Sequence, residues 1–125
     1  MNKIKVIENQ GIKWYKLYDP TKNELKRLQK KFNFHTLDIE DCLEKVQRPK
    51  LDIYQQYIFL VLHFPKWEQE TNEVKIVQLK IFLGQNFLIA ISKTRIPTLD
   101  QLFYQAKQNY KQREFILKDS SFHLF

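Results

Sequence analysis

The segment that most constrains the fold is YIFLVLHF at residues 57–64. Its uninterrupted apolar part, residues 57–62, is far shorter than the ~20 residues with which a helix crosses a bilayer. A short continuous apolar run of this kind is typical of a strand that is buried on both faces. We therefore predict a central strand of a sheet here, in a chain that is soluble as given.

The segments around this strand show the periodicities of further strands and of helices. Residues 3–8 and 12–18 predict a hairpin, because Gly11 can adopt the positive φ of a tight turn. Thr21 and Glu24 have the spacing of a capping box, which predicts a helix over residues 21–33. The remaining predictions are a helix that begins near residue 35 and ends before Gln47, strands at 50–52, 73–83 and 86–92, a polar loop at 65–72, a helix over 98–113 and the start of another helix at 119–125.

Length and composition limit the classes of protein to consider. A chain of 125 residues predicts one domain over residues 1–125. Cys42 is the single cysteine, so no internal disulfide can form, and a reducing compartment such as the cytoplasm is expected. The 21 Lys and Arg residues outnumber the 14 Asp and Glu residues, for a net charge of +7. Such an excess indicates nucleic acid, an anionic membrane or an acidic protein as a partner, or else only a well-solvated surface.

Within this basic chain, carboxylates cluster in the segment HTLDIEDCLEK at residues 35–45. A helical periodicity turns an apolar stripe towards the core, namely Ile39, Cys42, Leu43 and Val46. The same periodicity turns Glu40, Asp41 and Glu44 outward and leaves Asp38 at the margin. Exposed carboxylates suit hard divalent cations, above all Mg²⁺, so Glu40 and Asp41 could supply half of a metal site. A solvated acidic helix face remains the alternative.

The chain offers little for catalysis. Cys42 falls on the apolar face of its helix and is predicted to be a core residue. The three histidines are isolated in the sequence, and the two glycines form no phosphate-binding loop. We therefore expect no enzymatic activity.

Three motifs in succession resemble the CorA family of divalent-cation transporters. They are His35-Thr36-Leu37-Asp38-Ile39-Glu40-Asp41-Cys42-Leu43, then Gln47-Arg48-Pro49-Lys50-Leu51, then the apolar strand from Tyr57. In that family a pattern H-P-L-x-x-E-D is followed by Q-R-P-K and an apolar strand, in the amino-terminal cytoplasmic domain. The resemblance covers essentially the whole chain. It implies an α/β domain with a mixed β-sheet sandwiched between helices, which agrees with the predicted order of elements.

The resemblance also implies a function. Family members are pentameric channels for Mg²⁺ that also pass Co²⁺, and their cytoplasmic domains sense the ion between adjacent subunits. The chain would thus be a regulatory, metal-sensing domain on the cytoplasmic side of the inner membrane. Its partners would be the neighbouring subunits of a homo-pentamer and its own stalk and transmembrane region. Glu40 and Asp41 would be metal ligands, with Asp41 the stronger candidate, Mg²⁺ the regulatory cation and Co²⁺ a further cation for the site.

Some family features are missing from the sequence. It lacks the stalk helix, the pore helices and the family's Gly-Met-Asn signature, so we expect a truncated domain that transports nothing and binds metal weakly. No small-molecule substrate is expected. The alternative function is a free-standing basic module that binds nucleic acid or another polyanion, although nucleic acid is the less favoured partner. Steeply salt-dependent binding to an oligonucleotide would distinguish it.

Overall fold

A computed structural model describes residues 4–9, 11–44 and 48–108. Nine elements follow one another in this part of the chain: β1 (Ile4–Asn9), β2 (Ile12–Tyr18), α1 (Lys22–Phe32), α2 (Thr36–Leu43), β3 (Lys50–Ile53), β4 (Tyr57–Glu68), β5 (Glu73–Gly84), β6 (Phe87–Ser92) and α3 (Pro97–Gln108). The predicted hairpin, the first two helices and the helix after the last strand are confirmed. Val46, the predicted helix at 119–125 and the predicted end of the helix over 98–113 lie outside the described residues.

The strands form one mixed sheet. Its order is β1-β2-β6-β5-β4-β3, in which β2 and β6 run parallel and the other neighbours run antiparallel. The parallel pair is reached by way of two helices and the β3–β5 meander, since parallel neighbours need a long crossover. The apolar segment at 57–64 has a strand on each side over residues 58–61, but it lies next to the edge strand β3 and not at the centre.

Helices cover both faces of the sheet, which confirms the predicted α/β class. On one face, α1 and α2 pack over a cluster that includes Leu25, Ile39, Phe59 and Phe82. On the other face, α3 packs over a second cluster, in which the rings of Phe103 and Trp14 lie 5.1 Å apart. Alternate residues of β2, β4, β5 and β6 contribute to opposite clusters, as the pleat of a strand requires.

The polar loop predicted over residues 65–72 is wrong, because β4 continues through Pro65 to Glu68. Tyr57 directs its carbonyl towards the β3 side, where it accepts from the amide of Tyr54 at 2.9 Å. The backbone orientation repeats every two residues along a strand, so the backbone nitrogen of Pro65 also faces the β3 side. The β3 ladder ends opposite Val61, so the missing N–H of proline costs no ladder hydrogen bond on that side. Only the turn at residues 69–72 breaks the hairpin.

The capping box at the start of α1 is confirmed in both directions. The amide of Glu24 donates to Thr21 Oγ1 at 3.1 Å, and the amide of Thr21 donates to Glu24 Oε1 at 2.8 Å. Together the two bonds satisfy backbone donors that a helix start otherwise leaves free.

We expect Thr21→Ala to lower the free energy of unfolding by about 1 kcal/mol, because it removes one capping bond. Urea denaturation measures the change. Asn23→Ala is the matched control, since Asn23 is exposed in the first turn of the same helix but does not cap it. Equal stabilities of the two variants would contradict the capping role.

Candidate metal site

The candidate site lies on α2, whose start is held by a short polar network. His35 is the N-cap residue, and its Nδ1 accepts from the amide of Leu37 at 3.1 Å. The amide of His35 donates to the hydroxyl of Tyr57 at 2.8 Å, which ties this end of the helix to β4. The position of the helix, and of the carboxylates on it, is therefore set by the sheet.

Glu40 and Asp41 occupy different environments. Glu40 is exposed, as predicted. Asp41 is not: its side chain is only 18% exposed, and it forms an ion pair with Lys50. The Nζ atom of Lys50 also lies 3.2 Å from Asp52, so this ammonium group bridges two carboxylates. The hydrogen bond with Asp41 raises the pKa of Lys50 to about 12.

Asp38 does not lie at the margin of the helix, as the periodicity suggested. It is 1% exposed and accepts hydrogen bonds from Tyr57 at 2.8 Å and from Tyr54 at 3.1 Å. Burial raises the pKa of Asp38, and the two hydroxyl donors oppose that rise. Asp38 therefore joins α2 to the β3–β4 corner and is not part of the outward carboxylate group.

The end of α2 is held by a buried cation. Lys80 of β5 is 4% exposed, and its Nζ atom donates to the carbonyl of Glu44 at 3.1 Å and lies 3.5 Å from that of Cys42. A cation is favourable here because the carbonyl end of a helix carries a partial negative charge. Burial lowers the pKa of Lys80. Cys42 itself is a core residue, as predicted, and burial raises the pKa of its thiol to about 12.

The donor set fits a divalent cation in part. Carboxylate oxygens are the ligands that Mg²⁺ prefers, and it takes one or two of them while keeping several waters. Among the described residues, no group of three or more His, Cys, Asp or Glu side chains could hold a metal ion. Glu40 and Asp41 therefore fit part of a site, and further ligands would have to come from elsewhere. No helix in the described ranges combines the length and hydropathy that a membrane crossing requires.

The mixed sheet between two helix layers is also the fold of the soluble domain of CorA, a cobalt/magnesium transport protein. The solved soluble domain of CorA from Methanocaldococcus jannaschii is similar to this chain with a TM-score of 0.65 at 21% identity, over 78% of this chain and 38% of that chain. The solved cytoplasmic domain of ZntB from Vibrio parahaemolyticus is similar with a TM-score of 0.60 at 14% identity, over 78% of this chain and 40% of that chain.

The sequence comparisons identify the family. The family described as CorA-like Mg2+ transporter protein matches residues 9–122, and the chain belongs to it. The putative metal ion transporter YfjQ of Bacillus subtilis is 39% identical over 97 residues, which are 75% of this chain and 29% of that protein. The cobalt/magnesium transport protein CorA of Thermotoga maritima is 29% identical over 65 residues, which are 52% of this chain and 18% of that protein. The chain thus spans less than a third of the curated relatives that it matches.

The structure adds residues to the site that the sequence did not indicate. Lys50 belongs to the Gln-Arg-Pro-Lys motif, but nothing in its spacing showed that its ammonium group would reach Asp41. The sequence predicts Tyr57 only as a strand residue, and Tyr54 falls between two predicted strands. A buried acidic residue needs donors, and two tyrosines after the Gln-Arg-Pro-Lys motif were the available signal.

Proposed function

We propose that this chain is the regulatory, metal-sensing domain of a CorA-like transport protein, on the cytoplasmic side of its membrane. The observation that carries the proposal is the placement of Glu40 and Asp41 on a helix that is anchored to the sheet at both ends. Family membership supports a role in metal-ion transport and a non-enzymatic function. The similar ZntB structure is that of a cytoplasmic domain, which supports the location.

We propose that the cation binds between subunits, a proposal supported by the incomplete ligand set of the described residues. Two carboxylates hold part of a Mg²⁺ shell, so the remaining protein ligands would come from a neighbouring copy or from the rest of the parent protein. Carboxylates that meet across such a boundary repel each other, and a divalent cation replaces that repulsion with ligand bonds. A fall in the cation concentration would release the interface, because the ion stabilises the state that binds it. We propose Mg²⁺ as the regulatory ion, with Co²⁺ as a further ion for the site.

The assembly that fits this function is a homo-pentamer, with the neighbouring subunits and the parent protein's stalk and transmembrane region as partners. The solved complete CorA transporter of Methanocaldococcus jannaschii, with a TM-score of 0.65 over 89% of this chain, supports a role as one part of such a transporter. That similarity has 21% identity and covers 34% of the transporter chain. The basic surface of this chain is then a solvated face.

Asp41→Ala in the parent transporter is the test of the proposed function. We expect this variant to lose most of the inhibition by internal Mg²⁺. The ion loses a carboxylate ligand, so it binds more weakly and no longer stabilises the closed subunit boundary. Cation flux into vesicles or cells, measured against the internal Mg²⁺ concentration, gives the result. Glu40→Ala should cause a smaller shift in the same direction.

Glu70→Ala is the matched control, because Glu70 is an exposed acid in the turn between β4 and β5, far along the chain from α2. It removes the same charge without touching the candidate ligands. Inhibition that survives unchanged in Asp41→Ala would refute the proposed role of α2 in regulation.

A further inference from the structure

The β4–β5 hairpin extends beyond the rest of the sheet. The β3 ladder ends at Val61 of β4, and the β6 ladder begins at Lys80 of β5. In the described chain, residues 62–68 and 73–79 are therefore paired only with each other, and we name them the β4–β5 ribbon. A two-stranded ribbon is marginally stable by itself, and its open edges can accept another strand.

One face of the ribbon carries uncovered apolar side chains. Trp67 pairs with Val74 and Pro65 pairs with Ile76, so all four side chains share a face. Trp67 is 54% exposed and Ile76 is 62% exposed. By the alternation along β5, this face is also the one that carries Lys80 and the α1 and α2 layer. A contiguous exposed apolar face of this kind marks a binding surface more often than isolated apolar residues do.

A cavity continues this face towards the core. Its volume is about 360 Å³, and it lies where β6 ends, between the end of α2 and the open edge of β5. Leu43 and Ile76 contribute its apolar wall, and Lys80 and Lys93 contribute its positive charge. One acidic residue, Asp19, also lines it. Within the described residues, Lys80 has only carbonyl partners and neither lysine forms an ion pair.

The charges decide between candidate occupants. A buried ammonium group without a carboxylate partner favours an anionic ligand, because pairing offsets its desolvation. In a symmetric pair of copies, Lys80 and Lys93 of one cavity would face the same lysines of the other, so repulsion opposes self-association at this surface. The apolar face and the open edge require, in addition, apolar side chains and an extended backbone.

We propose that the open edge of β5, at residues 73–77, and the cavity beside it bind an extended segment of a partner protein that combines β-branched apolar residues with carboxylates. The segment adds a strand to β5. Its apolar side chains cover Ile76 and Trp67, and a carboxylate reaches Lys80. The proposal does not rest on metal binding at Glu40 and Asp41, although Lys80 also donates to the carbonyl of Glu44 at the end of the helix that carries them.

Trp67 provides the measurement. The chain has two tryptophans, and the other one, Trp14, is fully buried, so a blue shift of the emission on binding reports on Trp67. The probe is a synthetic peptide of alternating valine and threonine with a glutamate pair at each end. We expect saturable binding of this peptide and at least about tenfold weaker binding of the same peptide with lysine pairs.

Variants of the chain locate the surface. Ile76→Asp and Lys80→Met should each weaken the binding of the glutamate peptide by about tenfold, as expected for residues at the centre of an interface. Ile76→Asp keeps the test valid if Lys80→Met fails to fold, because Ile76 is exposed. The matched controls are Ile53→Asp, an equally apolar exposed site on β3, and Lys26→Met, an exposed lysine of α1, and both should bind like the unchanged chain.

Three results would overturn the proposal. Equal binding of the lysine peptide would show that the lysines of the cavity do not select an acidic segment. Equal binding of a glutamate peptide that is N-methylated at alternate residues would show that no strand is added. A blue shift that grows with protein concentration in the absence of peptide, with dimers in sedimentation, would identify a second copy as the occupant.

Discussion

Lys50→Met is expected to strengthen Mg²⁺ binding at Asp41 by about tenfold. Lys50 forms an ion pair with Asp41 and lies 3.2 Å from Asp52, so a cation that approaches Asp41 meets a positive charge already in place. Two unit charges 4 Å apart repel by about 1 kcal/mol in water and by about 4 kcal/mol at the effective dielectric of a protein surface. The lysine side chain is partly exposed and can swing away, which limits the gain.

A Mg²⁺ titration of the isotope-labelled chain, followed through the amide resonances of residues 38–43, measures this change. The unchanged chain should bind more weakly than the micromolar range, because it holds only part of a metal shell. Lys26→Met is the matched control for the loss of one positive charge, since Lys26 is exposed on α1. Equal dissociation constants for Lys50→Met and the unchanged chain would exclude competition by Lys50. The absence of any Mg²⁺ response in either chain would instead count against the metal role of Asp41.

This competition gives the proposed sensor a defined ion-free state. Without the divalent cation, Asp41 is neutralised from within its own subunit by Lys50, which is anchored over the ring of Phe59 at 5.5 Å. In the proposed sensor, the cation would displace Lys50 from Asp41 and link this carboxylate to a ligand across the boundary. Lys50 would thereby raise the cation concentration at which the proposed switch occurs, because it opposes the cation-bound state without preventing it.

Local patterns predicted most of the fold. The capping box of Thr21 and Glu24, the Gly11 turn and the apolar run from Tyr57 each depend on residues close together in the chain, and all three are found in the structure. The faces of the strands also follow from alternation alone. The extent of β4 did not, because whether Pro65 interrupts a strand depends on whether a third strand lies on its side.

The charged groups of the site could not be assigned in the same way. Asp38 is buried and Asp41 is partly covered, although periodicity placed one at the margin and the other outward. Their environments are set by Lys50, Tyr57 and Tyr54, which lie in β3, in β4 and in the turn between them, and the sequence does not align this hairpin with α2. The burial of Lys80 likewise depends on the carbonyl end of a helix that ends near it in space. The burial and the partners of such charged residues depend on contacts between elements that are distant in the sequence.

A second network of this kind joins α3 to the sheet, with Asp100 at its centre. Asp100 accepts from Lys16 and Tyr18 of β2 and from Arg95, each at 2.6 Å. Lys16 is itself buried and lies 4.9 Å from the centre of the Phe103 ring. Burial alone would raise the pKa of Asp100, but the hydrogen bonds from Lys16, Tyr18 and Arg95 lower it to about 2. The ionised carboxylate is therefore the form that the folded chain stabilises.

Asp100→Asn is expected to lower the free energy of unfolding at neutral pH by about 2 kcal/mol, since each unit of pKa shift corresponds to about 1.4 kcal/mol. The pKa of Asp100 is lower in the folded chain than in the unfolded one. Its contribution is therefore complete above about pH 4 and is lost as the pH falls towards 2. Urea denaturation across this pH range should show that the free energy of unfolding falls less steeply with decreasing pH in the variant than in the unchanged chain.

Other carboxylates of the chain serve as comparisons for the effect of Asp100 on stability at low pH. Asp38 acts in the opposite sense, because its raised pKa makes the folded chain favour the protonated form as the pH falls. Glu70→Gln is the matched control, since Glu70 is exposed in a turn and should leave both the stability and its pH dependence unchanged. An acid transition in Asp100→Asn as steep as in the unchanged chain would mean that Lys16 and Arg95 do not hold this carboxylate in its ionised form. The attachment of α3 would then rest on its apolar contacts, among them those of Phe103 with Trp14.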